Sequence, residues 1–358
     1  MERRRRFDDR SGEEAGLHLS DPIDRIPEDR RERARSALAA TFGRSPVTAL
    51  EPITLGASAS SYRIEVGGRP YLLRLEGSRR NEVRDPHRSY VCMRAAAEAG
   101  IAPAVRHADP VAAVAITDFV PHRPMFDFLR MPSDLVRDLG CLVARLQAIP
   151  AFPPVMDYPT MVGRLFDSLL AAGMFVPGLL DRHQECFERV REAYSWDSGA
   201  LVSSHNDLTP VNMLFDGERL WFIDWETAYR NDPLVDVATL TVFIAGSPEL
   251  EEMLLRSWLG RGPDRTERAR LVLMRSLARL YYGCAASLNA GHALGTAAPE
   301  TDFDAPTAAE FVASVEQGRL VLGGPEAQRL VGKMFLASFL TGVKAPEFEE
   351  SLTIVRQG

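Results

Sequence analysis

Residues 203 to 226 read SSHNDLTPVNMLFDGERLWFIDWE, and the polar residues in this stretch are spaced for chemistry. Asp207 follows His205 and Asn206, Asn212 comes five residues after Asp207, and Asp224 stands twelve further on between Ile223 and Trp225. A hairpin that only fills a core needs no such set. An aspartate in a loop can orient an acceptor hydroxyl and take its proton. An asparagine amide oxygen and a second carboxylate are hard ligands of the kind Mg²⁺ takes while keeping most of its waters. Acid, amide and then acid at the end of the next hairpin strand is an order that suits phosphoryl transfer.

These groups need a scaffold, and the surrounding sequence supplies one. Asp216-Gly217 is a hairpin turn, so Asn212 and Asp224 flank the two strands of one ribbon. Upstream, ALEPITL, SSYRIEV and YLLRLE read as three strands, with Gly67-Gly68 turning the second into the third. A helix is expected from Pro86 to Ala99, closed by Gly100, and APAVRHA and VAAVAITDFV read as two more strands. After residue 122 the helical period takes over. Leu135, Val136, Leu139, Leu142, Val143, Leu146 and Ile149 recur on one face behind a Ser133 cap. Further helical stretches surround residues 160–172, 180–195, 234–258, 264–290, 306–318 and 325–340.

The motifs HNDLTPVN, FIDWE and NDPLVDVA, the last at 231–238, resemble those of the aminoglycoside phosphotransferase and choline/ethanolamine kinase superfamily. The resemblance covers roughly residues 47–290 and is strongest at 203–240. It implies an α+β, two-lobed protein-kinase-like fold: a small antiparallel-sheet lobe at 41–121 and a larger, mainly helical lobe at 122–358. It also implies a small-molecule kinase that uses ATP and Mg²⁺, with Asp207 as catalytic base, Asn212 and Asp224 as metal ligands, and His205 and Asp236 supporting the loop. The phrase from Ile223 to Ala238 is closer to the choline-kinase-like members, so the expected acceptor is a hydroxyl on a small polar or cationic metabolite. An aminoglycoside O-phosphotransferase and a catalytically silent nucleotide-binding module are the competing readings.

The amino-terminal lobe departs from the family pattern. The loop Leu55-Gly56-Ala57-Ser58-Ala59-Ser60-Ser61 keeps one glycine where a phosphate-covering loop relies on several, and Ser58 and Ser60 offer hydroxyls instead. The family's strand lysine is replaced by Arg74. Lys333 and Lys344 are the chain's two lysines, so no neighbouring lysine can take the role. A guanidinium can grip phosphate bidentately. The acid expected on the following helix falls near Ser89, leaving Glu82 and Asp85 as substitutes. Asp118 and Val120 are expected at the adenine, on fold grounds alone. Trp225, Glu226 and Tyr229 are the candidate acceptor contacts, with Trp258, Tyr281 and Tyr282 as further aromatic walls for a cation.

Composition narrows the classes. A net charge of -7 and a pI near 5.6 oppose general nucleic-acid binding. No apolar run reaches the length of a membrane span, and four widely spaced cysteines suit a reducing compartment, so a cytoplasmic location is expected. The first 35 residues carry ten basic and ten acidic side chains and few large apolar ones, so residues 1–40 are expected to form a charged, mobile arm.

Overall fold

A computed structural model describes residues 21–53, 59–77, 82, 84–123, 132–196, 198–295 and 298–357. Its first part is a five-stranded antiparallel sheet in the order β1-β2-β3-β5-β4. The strands are β1 (Val47–Ile53), β2 (Ala59–Val66), β3 (Arg69–Glu76), β4 (Val105–Asp109) and β5 (Val114–Asp118). Gly67 and Gly68 take φ of 59° and 73°, the paired positive values that a two-residue hairpin between right-twisted strands demands. Side chains alternate across the strands. Tyr62, Ile64 and Val66 of β2, with Leu73 and Leu75 of β3, turn to one face and are buried there.

That face is covered by α1 (Glu28–Phe42) through Ala34, Ala37 and Leu38, and Ile23 and Ile26 close the edge of the same core. Residues 21–40 are therefore part of the folded lobe, which corrects the mobile-arm expectation for them. Small alanines provide the contact, so the apolar stripe is hidden among arginines. Those arginines are themselves used: Arg33 donates to the carbonyls of Glu76 at 3.0 Å and Ala112 at 3.1 Å. α2 (Pro86–Glu98) follows, capped by Asp85, which accepts from the His87 N–H at 3.0 Å.

The helical part comprises α3 (Pro132–Gln147), α4 (Tyr158–Ala171), α5 (Asp181–Ala193), α6 (Leu234–Phe243), α7 (Pro248–Leu259), α8 (Arg265–Leu294), α9 (Ala308–Glu316), α10 (Pro325–Lys344) and α11 (Pro346–Gln357). The single helical stretch expected at 234–258 is two helices. Ser247 caps α7 by accepting from the Leu250 N–H, and Pro248 cannot extend a helix from before it. α8 is the central axis and packs against α4, α6, α10 and α11. It lies close to α10 because Gly283 has no side chain: a Cβ there would sit 2.9 Å from Leu336 Cγ. Two short ribbons complete the fold, β6 (Val202–Ser204) with β9 (Tyr229–Asn231), and β7 (Met213–Phe215) with β8 (Leu220–Phe222). No helix among the described residues is long and apolar enough to cross a membrane.

His183 of α5 is fully buried, stacked on Phe339 at 5.2 Å and edge-on to Phe303 at 5.0 Å, with its Nε2–H donating to the Leu336 carbonyl at 3.0 Å. Burial holds its pKa down to about 4, against 6.5 for a free imidazole. The folded chain therefore binds one proton fewer than the unfolded chain between these values, and stability falls as pH drops from 6.5 toward 4. The loss should be on the order of 3 kcal/mol. Urea denaturation at stepped pH should show this slope in the wild type and a flatter profile in His183→Gln.

Candidate active site

The loop from β6 to β7 is built on one buried carboxylate. Asp236, on the first turn of α6 and fully inaccessible, accepts from Ser204 Oγ at 2.9 Å, the His205 N–H at 3.0 Å and the Asn206 N–H at 2.9 Å. Asn206 is held in the left-handed conformation, φ 63°, which Asn tolerates better than most residues. Its Oδ1 accepts from Ser204 Oγ at 3.0 Å and Asn231 Nδ2 at 2.8 Å, while its Nδ2 donates to the Thr227 and Tyr229 carbonyls. His205 donates from Nε2 to the Ile223 carbonyl at 2.8 Å and packs its ring 4.7 Å from Trp225. The loop's backbone is thus fastened both to α6 and to the segment after β8.

Asp207 is the residue this loop presents. Its Oδ2 accepts from Asn212 Nδ2 at 2.8 Å and its Oδ1 from the Tyr282 hydroxyl at 2.9 Å. Burial raises its pKa above the ordinary carboxylate range, partly opposed by His205 and by the Tyr282 hydrogen bond. Asn212 spends its amide nitrogen on Asp207, a bond that aims Oδ1 the other way. The β7–β8 register pairs Met213 with Phe222, and the Ile223 N–H donates to the Asn212 carbonyl at 3.0 Å. Asn212 and Asp224 therefore emerge side by side from the ends of one ribbon. Asp224 itself is left-handed, φ 64°, a conformation costing of order 1 kcal/mol or more for a residue with a side chain.

From the sheet, Arg74 reaches across to this ribbon. Its Nη2 donates to Asp224 Oδ1 at 2.8 Å, its Nε donates to Glu76 Oε1 at 2.8 Å, and Glu226 lies 3.7 Å away. Burial alone would lower the Arg74 pKa, but Asp224, Glu76 and Glu226 outweigh it and raise the value further. The acid that holds Arg74 is thus Glu76, two residues along the same strand and on the same face. Glu82 instead pairs with Arg164, and Asp85 caps α2. Strand alternation was the signal that could have found Glu76.

Several expected contacts fall elsewhere. Ser58 lies outside the described residues. Ser60 shares the phase of Tyr62 and Ile64, so its hydroxyl faces α1 and accepts from Arg30; it is Ser61 that pairs with Arg74 across the strands. Asp118 gives its N–H to the Ala104 carbonyl and its carboxylate to Arg106, which removes that N–H from an adenine. Val120 lies half-buried just past β5. Trp225 and Tyr229 are 4% and 1% exposed and belong to the core: Trp225 packs on Phe152 and His205, and Tyr229 lies beneath the Arg88 guanidinium. Glu226 is matched by Arg84 at 3.4 Å and Arg74, and Arg88 donates to the Glu226 carbonyl at 2.7 Å. Arg88, buried and unforeseen, anchors this segment to α2; it also donates to the Ala228 carbonyl at 2.8 Å. Trp258 is taken up by Gln147, whereas Tyr282 does reach the site.

The model of the phosphotransferase enzyme family matches residues 49–271. The chain belongs to that family. This phosphotransferase resembles a choline/ethanolamine kinase family protein from Mesorhizobium loti, with TM-score 0.66 and 23% identity over 92% of this chain and 100% of that one. It also resembles the choline kinase LicA from Streptococcus pneumoniae, with TM-score 0.57 and 14% identity over 87% and 99% of the two chains. A spectinomycin phosphotransferase solved with ADP and spectinomycin gives TM-score 0.52 and 12% identity over 90% and 97%. At these identities the likeness speaks to the protein-kinase-like fold. A stretch of 58 residues is 48% identical to protein LicA of Haemophilus influenzae. That match spans 16% of the phosphotransferase and about a fifth, 22%, of the relative.

Asp236→Asn tests the foundation of the loop. A neutral amide offers one acceptor oxygen to three donors and turns N–H groups toward the rest, so a loss of about 2 kcal/mol or more is expected in chemical denaturation. A midpoint unchanged from the wild type would show that the loop is held by other bonds.

Proposed function

We propose that this chain is an ATP-dependent small-molecule kinase that transfers the γ-phosphoryl group to a hydroxyl of a small polar or cationic acceptor, in the manner of a choline or ethanolamine kinase. The observation that carries this reading is the pairing of Asp207 with Asn212 beside Asp224, with Arg74 of the sheet on Asp224. In the proposed reaction Asp207 orients the acceptor hydroxyl and takes its proton. The new bond joins the acceptor oxygen to the γ-phosphorus, the bond from that phosphorus to the β–γ bridging oxygen breaks, and ADP leaves.

The donor set beside Asp207 fits Mg²⁺. Asn212 Oδ1 and the Asp224 carboxylate are hard oxygens on adjacent strand ends, and two protein ligands leave positions for waters and phosphate oxygens. The bound ion would neutralise charge on the phosphates. Arg74, poised by Glu76, is suited to the same anionic oxygens.

A choline-like acceptor is supported by the kinds of relatives found and by the rings about Asp207. Tyr282 packs against Phe243 at 4.8 Å, Tyr281 at 5.0 Å and Phe335 at 5.8 Å. Aromatic faces attract an alkylammonium group.

Two variants separate the roles. Asp207→Asn should keep ATP affinity within about twofold in calorimetry while lowering turnover at least about 100-fold. Asp224→Ala should abolish the Mg²⁺-dependent part of ATP affinity. Equal ATP affinity with Mg²⁺ in Asp224→Ala and wild type would overturn the metal assignment.

A further inference from the structure

Tyr282 enters the proposed reaction only through its ring, yet its hydroxyl touches the base. It donates to Asp207 Oδ1 at 2.9 Å, while the other carboxylate oxygen, Oδ2, accepts from Asn212 Nδ2 at 2.8 Å. One bond to each oxygen matters because the last torsion of an aspartate is broad and two-fold, so a carboxylate held at one oxygen still swings about its Cβ–Cγ bond. Held at both, its plane is fixed. Asn212 has no donor left for the second oxygen: its amide nitrogen is shared between Oδ2 and the Asp207 main-chain carbonyl, also at 2.8 Å.

Helix packing delivers the hydroxyl to this place. Tyr282 immediately precedes Gly283, where a Cβ would lie 2.9 Å from Leu336 Cγ, so the missing side chain brings α8 against α10 at this level. Phe335, the neighbour of Leu336, thereby stands 5.8 Å from the Tyr282 ring. Phe243 at the end of α6 meets the same ring edge-on at 4.8 Å, and Tyr281 meets it at 5.0 Å. Rings from three helices brace the side chain and keep its tip on the loop. Burial, and then the charge of Asp207, push the Tyr282 pKa well above the ordinary 10 of a phenol, so the group remains an O–H donor at neutral pH.

We propose that the Tyr282 hydroxyl is a positioning group for the base, fixing the plane of the Asp207 carboxylate from the oxygen that Asn212 leaves free. The inference rests on the kinase reading and gives one residue two separable roles, the ring toward the acceptor and the hydroxyl toward Asp207. A general base works only when its oxygen is aligned with the proton it takes. Loss of that alignment slows the chemical step without loosening the substrates.

Tyr282→Phe keeps the ring and removes the hydroxyl. With MgATP and choline or ethanolamine, followed by ADP release, it should lower kcat at least about tenfold and leave the acceptor KM and the ATP affinity within about twofold of wild type. Tyr282→Leu, which loses the ring as well, should also raise the acceptor KM. A double-mutant cycle separates alignment from general damage: in an Asp207→Asn background, with no carboxylate left to align, adding Tyr282→Phe should change the residual turnover by less than about twofold. Thermal melts establish that each variant is folded. Phe335→Leu keeps the hydroxyl but loosens its brace, and a smaller fall in kcat there carries the test should Tyr282→Phe fail to fold. Wild-type kcat in Tyr282→Phe, or a loss that appears in full in the Asp207→Asn background, would overturn the proposal and leave the kinase reading standing. No turnover of either acceptor by the wild type would remove the kinase reading and this role with it.

Discussion

A carboxylate sealed from water underlies the whole site. Asp236 accepts three hydrogen bonds from Ser204, His205 and Asn206, and burying a charge this completely is tolerable only when its lone pairs are filled. The bonds fix three consecutive residues of the loop and let Asn206 take a left-handed conformation. That turn aims Asp207 outward to Asn212 and Tyr282. Asn206 in turn ties the loop to the segment after β8, through the carbonyls of Thr227 and Tyr229. Asp207, Asn212 and Asp224 are thus positioned by a single connected network in which each buried polar group serves another.

The second constraint joins the sheet to that network. Arg74 lies between Glu76 on its own strand and Asp224 on the ribbon, and the Glu76 backbone is held in turn by Arg33 of α1. A helix preceding the region matched by the family model therefore supports the cation nearest the site. The same cation neutralises Asp224 in this structure. In the kinase proposed above, a metal on Asp224 and phosphates on Arg74 would compete for the two partners of one ion pair.

Much of this was legible in the sequence wherever chemistry is local. Asp207, Asn212 and Asp224 lie within one hairpin and its flanks, so spacing alone brings them together, and Asp236 follows closely on the next helix. The five strands were readable as short runs bounded by turn residues, and β2 and β3 alternate on either side of the Gly67-Gly68 turn. The phase of Ser60 and the position of Glu76 followed from that same alternation and needed only to be counted. Other features depend on tertiary packing. Tyr282 meets Asp207 from 75 residues away, Arg88 meets the Glu226 and Ala228 carbonyls from a different lobe, and α1 docks through alanines that no apolar stripe announces. Trp225 and Tyr229 show the opposite failure: aromatic residues next to a catalytic motif are more often its foundation than its lining.

The most direct test is ³¹P NMR of the enzyme with MgATP and choline or ethanolamine, using Asp207→Asn as the blank. A phosphomonoester resonance that grows as the γ-phosphate signal fades, in wild type and not in the variant, is the predicted result. Contradiction would be ATP that binds yet yields no phosphomonoester with any acceptor, or one that forms equally well without the Asp207 carboxylate.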